Sequence, residues 1–218
     1  MRSSHFQLIN LIFKPERLVA LDDGNATLNL FKKDNFINER FWKVFLRTKK
    51  VWFFTIYGDL LEEINIIKND YSFARLKFKA TREPKSSYIV GTTLVEVEIM
   101  NDDQYMSLLR KLFINQPDSV YLPHRYESID KLDRIKKEFN CKIEKKDFPL
   151  EIELLTGRIQ PKLFLGTVSS FFDNLNLIRP DLQVLIAKVE NLDLLEKHSI
   201  KRIESAYSVY AKSGYTFV

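Results

Sequence analysis

Residues 162–175 read KLFLGTVSSFFDNL. The apolar run Leu163–Leu165 has the length of a buried strand, and Gly166-Thr167 closes it with turn-forming residues. Ser169 and Ser170 then open an amphipathic run, SSFFDNLNLI (169–178), at the place where a helix takes its N-cap. A strand delivered straight into a helix N-terminus is the repeating unit of a parallel α/β sheet, and the same order recurs on both sides of this stretch.

Four further strands are predicted from short apolar runs bounded by turn formers or Pro: SYIVGT (87–92), SVYLPH (119–124), CKIEK (141–145) and QVLIAKV (183–189). Helices are predicted between them. DDQYMSLLRKLF (102–113) begins with Asp and carries Tyr105, Leu108, Leu109 and Leu112 on one face. ESIDKLDRIKKEF (127–139) carries Ile129, Leu132, Ile135 and Phe139, with Lys, Arg and Asp opposite, facing water. HSIKRIESAYSVYAK (198–212) completes the series. Strands alternating with helices give an α/β domain over 86–218, Rossmann-like, with a mostly parallel sheet covered on both faces.

Residues 1–85 read differently. An apolar helix (5–13), a strand RLVAL (17–21), the turn DDGN, a helix within FINERFWKVFLRT (36–48) and a strand VWFFTIY (51–57) are followed by an irregular, charged stretch to Pro84. This has the pattern of part of a second Rossmann-like domain and is too short to be a whole one, so a chain cut near its start is expected.

The 218 residues are 45% apolar, ample for a buried core. No run of about 18 apolar residues appears and no export signal is read at the N-terminus. The single Cys141 excludes an internal disulfide, which suits a reducing cytoplasm. A formal charge of +5 favours an anionic partner: nucleic acid, an acidic membrane surface or an anionic small substrate. Basic and acidic residues are interspersed, and no basic arm or aromatic nucleic-acid signature is present, so nucleic acid is the weakest of the three.

In open α/β sheets ligands gather at the carboxyl ends of strands. Four groups stand there: Asp22-Asp23-Gly24, Gly91-Thr92-Thr93, His124-Arg125-Tyr126-Glu127 and Thr167-Val168-Ser169-Ser170. Each has two readings. Ser169 and Ser170 are either an ordinary cap or, with the helix dipole, a cradle for phosphate. His124 either satisfies a carbonyl or, beside Arg125, joins them on the same anion. Asp22-Asp23-Gly24 is a tight turn or holds a general base. In FPLEIELL (148–155), Pro149 suits the first turn of a helix; Glu151 is either dipole-favoured charge or an acceptor for two sugar hydroxyls.

The ordered series DDG, IVGTTLVE (89–96), DDQYMSLLRKL, VYLPHRYE, FPLEIELL and LFLGTVSSFFDNL resembles the bacterial sialyltransferases of the capsular polysialyltransferase and lipooligosaccharide sialyltransferase type, over about residues 17–178. The resemblance implies a GT-B-like enzyme with two Rossmann-like domains and a site in the cleft. Such enzymes transfer sialic acid from the donor substrate CMP-sialic acid to a sugar hydroxyl with inversion, and need no metal or other cofactor. It implies Asp23 as the base on the acceptor hydroxyl and His124 as the group that protonates or hydrogen-bonds the departing phosphate. Ser169 and Ser170 fall on that phosphate, with Arg125 supplying positive charge, Glu151 on the ribose, and Phe148, Pro149 and Leu150 at the cytosine. Asp22, Gly24, Gly91 and Glu127 are supporting positions. Arg125 departs from the Pro that follows His in many relatives.

The expectation is therefore a cytoplasmic enzyme acting on capsule or lipooligosaccharide, with a basic surface suited to anionic inner-membrane lipid. The competing expectation is a truncated remnant that binds a nucleotide sugar or a partner without catalysis.

Overall fold

The computed structural model describes residues 18–21, 51–56, 65–77, 84–190 and 197–218. The chain divides into two compact units, Met1–Asp70 and Tyr71–Val218. In the first, β1 (Leu18–Leu21), β2 (Val51–Thr55) and β3 (Asn65–Lys68) pair in parallel in that order. Two of these are the expected RLVAL and VWFFTIY strands. The third corrects the irregular reading of residues 58–84, as does helix α1 (Ser72–Lys77) in the second unit. NIIK is too short to show a period of its own and is ordered by pairing with β2. The helices expected at 5–13 and 36–48 lie outside the described residues.

The second unit runs α1, β4 (Ser86–Val90), α2 (Asp102–Asn115), β5 (Val120–Leu122), α3 (Ile129–Phe139), α4 (Leu150–Leu155) and β6 (Pro161–Gly166). It continues through α5 (Ser170–Ile178), β7 (Gln183–Ile186), α6 (Lys197–Lys212) and β8 (Thr216–Phe217). The sheet order is β5-β4-β6-β7-β8, and every pairing is parallel. This is an α/β fold with a five-stranded parallel sheet, wound outward in both directions from its first strand.

Adjacent residues on a strand point to opposite faces, and the core divides accordingly. Tyr88, Val90 and Phe164 pack with α4, α5 and α6 on one face, while Ile89 and Leu165 pack with α2 and α3 on the other. Phe164, Leu165 and Ile89 are fully buried; burial of each such side chain contributes about 1.5–3 kcal/mol. Two strand-end glycines permit this closeness. A Cβ on Gly166 would lie 2.6 Å from the Phe172 ring of α5, and one on Gly91 would lie 2.2 Å from a Glu127 carboxylate oxygen.

Two expectations fail in detail. CKIEK forms no strand: only Ile143 bridges to Tyr121, because β5 is three residues long and offers little edge to extend. Helix α3 buries Leu132 and Ile135 of its predicted face and partly buries Phe139, but not Ile129. Ile129 is 71% exposed, whereas Lys131 is buried beside Leu132 and Ile135. No helix among the described residues is long and apolar enough to cross a membrane.

Candidate functional site

The registers set the site. Val90 is level with Leu122 on one side and Gly166 on the other, and Gly166 with Ile186. The residues leaving β4, β5 and β6 therefore emerge at one edge, at the point where the winding direction reverses. A parallel sheet opens a crevice at such a point. A cavity of about 550 Å³ lies there, and its volume suits a nucleotide-sized ligand.

Ten of the residues singled out in the sequence line it. Gly91 comes from the end of β4; His124, Arg125 and Glu127 follow β5. Phe148, Pro149, Leu150 and Glu151 form the start of α4, and Ser169 and Ser170 the start of α5. Asp22, Asp23 and Gly24, directly after β1, lie outside the described residues.

At His124, the turn is closed by the Glu127 amide donating to the His124 carbonyl at 3.0 Å. The imidazole Nδ1 accepts from the Tyr126 amide at 3.3 Å. An accepting Nδ1 leaves the proton of the neutral ring on Nε2. Desolvation holds the imidazole below its ordinary pKa, with Arg125 acting in the same direction. The half-buried ring is thus a neutral Nε2–H donor at neutral pH. The exposed Arg125 guanidinium sits over the Tyr126 ring, 4.7 Å from its centroid.

Ser169 is the N-cap of α5, and its hydroxyl accepts from the Phe171 amide at 3.3 Å. The cap reading of this serine is therefore realised. Its backbone is gripped as well: the Tyr210 hydroxyl donates to the Ser169 carbonyl at 2.7 Å and accepts from the Ser169 amide at 3.0 Å. Ser170, the first helical residue, is exposed on the cavity wall. The positive end of the α5 dipole thus faces the same space as Arg125 and His124.

Glu151 accepts from the Asn174 amide nitrogen at 2.7 Å through Oε1. Phe148 is half-exposed, with the Arg158 guanidinium 4.5 Å from its ring centroid. The Phe148 amide donates to buried Glu153 at 3.3 Å, which fixes the backbone leading into α4.

Beneath these groups lies a buried polar network that the sequence reading missed. The Glu127 side chain is fully buried, and its Oε2 accepts from the His124 amide at 2.7 Å. Its Oε1 accepts from the Tyr121 hydroxyl at 2.7 Å and lies 2.8 Å from the Lys131 ammonium. Burial pushes the Glu127 carboxyl up, and Lys131, Tyr121 and the His124 amide pull against it. Also missed were Asn174, Glu153 and Tyr210, and the cavity-lining Lys145 and Lys146, the latter paired with Glu144. The four-residue spacing of Glu127 and Lys131 was the one visible signal, since it permits a helical ion pair. Such a pair on a charged face reads as solvated.

Among the described residues no group of three or more His, Cys, Asp or Glu side chains is placed to hold a metal ion. The chain matches no protein-family model and no curated protein.

Proposed function

We propose that the chain is an inverting glycosyltransferase of GT-B type that moves sialic acid from CMP-sialic acid to a hydroxyl of a bacterial surface glycan. The observation that carries this reading is the convergence of His124, Arg125, Ser170 and Glu151, drawn from three separate stretches of sequence, on one cavity at the strand ends. Those groups match the needs of a nucleotide phosphate: a neutral imidazole donor, a guanidinium, a hydroxyl and a helix N-terminus. Glu151, steadied by Asn174, supplies a carboxylate for ribose hydroxyls.

In the proposed reaction the acceptor oxygen attacks the anomeric carbon of the donor, and the bond from that carbon to the phosphate oxygen breaks. The electron pair leaves with CMP. Asp23 takes the proton of the acceptor hydroxyl, while His124 and Arg125 stabilise the charge growing on the phosphate, the interaction that lowers the barrier most. Attack from the face opposite the leaving group inverts the centre. The work is assigned to the cytoplasm, with basic residues resting on anionic lipid.

Calorimetric titration with CMP and a transfer assay with CMP-sialic acid test this together. CMP binds, and His124→Ala weakens that binding. Asp23→Ala keeps CMP affinity and lowers transfer by about 10²–10⁴-fold, the range for a lost general base. Absence of CMP binding by the intact chain overturns the proposal. Binding without transfer assigns the chain to the nucleotide-sugar-binding class instead.

A further inference from the structure

We infer that the buried Glu127–Lys131 pair is a positioning device that sets the geometry of His124. The inference rests on the proposed role of His124 at the donor phosphate. Lys131, on α3, is enclosed on all sides. Its ammonium lies 2.8 Å from Glu127, donates to the Thr92 carbonyl at 2.9 Å and to Glu96 at 3.2 Å, and sits 4.0 Å from the centroid of the Tyr105 ring. From the other side a directional relay of donors arrives. The Thr92 amide donates to the Tyr105 hydroxyl at 3.3 Å, the two tyrosine hydroxyls of Tyr105 and Tyr121 are 2.8 Å apart, and Tyr121 donates to Glu127. Burial holds both phenols well above their ordinary range, so they stay protonated and the relay keeps its direction.

One carboxylate thereby ties together the segment after β4, the segment after β5 and helix α3. A pair of well-packed apolar side chains would serve stability at least as well as a buried ion pair. What an apolar pair would not do is aim an acceptor at the His124 amide. Glu127 fixes that amide, and the turn beyond it presents the Tyr126 amide to Nδ1, which selects the Nε2–H ring. Gly91 belongs to the same arrangement, because any Cβ there would occupy the position of the carboxylate. Neither Glu127 nor Lys131 is a catalytic residue; both act through His124.

The test uses the full chain with nitrogen-15-labelled histidine, the His124 signals being assigned by their loss in His124→Gln. Wild type shows a bare Nδ1 and a protonated Nε2. The double variant Glu127→Met/Lys131→Met removes both buried charges and the acceptor that meets the His124 amide. Its expected result is a cooperative melt, loss of the single-tautomer signature at His124 and CMP binding weakened about tenfold or more. A folded double variant that keeps the wild-type signature and CMP affinity overturns the inference. Should that variant not fold, Glu127→Met alone, which leaves Lys131 paired with Glu96, decides on the same two readouts. If wild type binds no CMP, the proposed function fails, and the tautomer signature still decides the positioning role.

Discussion

At His124 one ring nitrogen is already committed to the Tyr126 amide, and under the proposed function the other meets the donor phosphate. The imidazole of the free protein has its pKa below 6.5, through desolvation first and the Arg125 charge second. A phosphate at Nε2 favours the charged ring, so binding raises that pKa. CMP-sialic acid is a phosphate diester and does not itself titrate near neutrality. Its affinity is therefore expected to rise as pH falls below the pKa of the complex, and to level off below that of the free protein. The gain of a charge-assisted over a neutral hydrogen bond is about 1 kcal/mol, roughly fivefold in affinity. Calorimetry from pH 7.5 downward measures it; His124→Ala flattens the profile, and a flat wild-type profile removes the contact. Stability moves the other way. The unfolded chain binds the proton more readily, so His124's contribution is complete above 6.5 and is lost as pH falls through the lowered folded value. Residues of this kind were legible because His, Arg and paired Ser at strand ends are chemically conspicuous. Lys131 was not, because a lysine reads as solvated unless its partners are known, and those partners come from Thr92, Glu96 and Tyr105 as well as Glu127.

Helix α5 is held at its start by a residue from another helix, Tyr210 of α6, forty-one positions away. Burial keeps the Tyr210 phenol protonated, so one hydroxyl both donates to and accepts from the Ser169 backbone. Tyr210→Phe preserves the ring contact with Phe172 and removes only that grip. Leaving two backbone groups without it costs about 1–3 kcal/mol, roughly 2–12 °C in melting temperature for a chain of this length. CMP affinity is expected to fall with it, since Ser170 and the helix dipole are then aimed less firmly. A variant that melts lower yet binds CMP unchanged would detach the α5 N-terminus from the site. Strands β4, β6 and β7 and helices α2, α5 and α6 were legible in their apolar periodicity, which burial on both faces of a parallel sheet imposes. Three of the short elements were not. β3, α1 and β8 are ordered by their neighbours, and CKIEK has the composition of a strand but meets only the stub of β5. At the start of α3 two residues were misread for a related reason: Ile129 looks like core and stands in solvent, while the charge two residues on goes inside.

The winding of the sheet sets the cavity at the strand ends of the second unit, and the described residues that line it fall between Val90 and Phe171. Strand order and the cavity's position arise from sequence patterns that repeat along this unit. The composition break that the sequence offers is at Pro84, but α1 lies before it and belongs by packing to the second unit. Tyr71 and Ala74 pack on the core under α5, and Arg75 donates to the Leu177 carbonyl. A strand pattern cannot announce such an attachment, because six residues are too few to display a helical face. The division has a functional consequence under the proposed mechanism. The leaving group is held by residues of 71–218, and the base, Asp23, belongs to 1–70. A chain of residues 71–218 is therefore expected to bind CMP within about 1 kcal/mol of the full chain and to transfer no sialic acid. Starting instead at 86 removes α1 and the apolar contacts of Tyr71 and Ala74, so 86–218 should melt below 71–218. Calorimetry and thermal melts on the two shortened chains check both. If 71–218 folds, melts cooperatively and binds no CMP, then donor recognition needs residues from the first unit, and the cavity at the strand ends is not sufficient to hold the nucleotide.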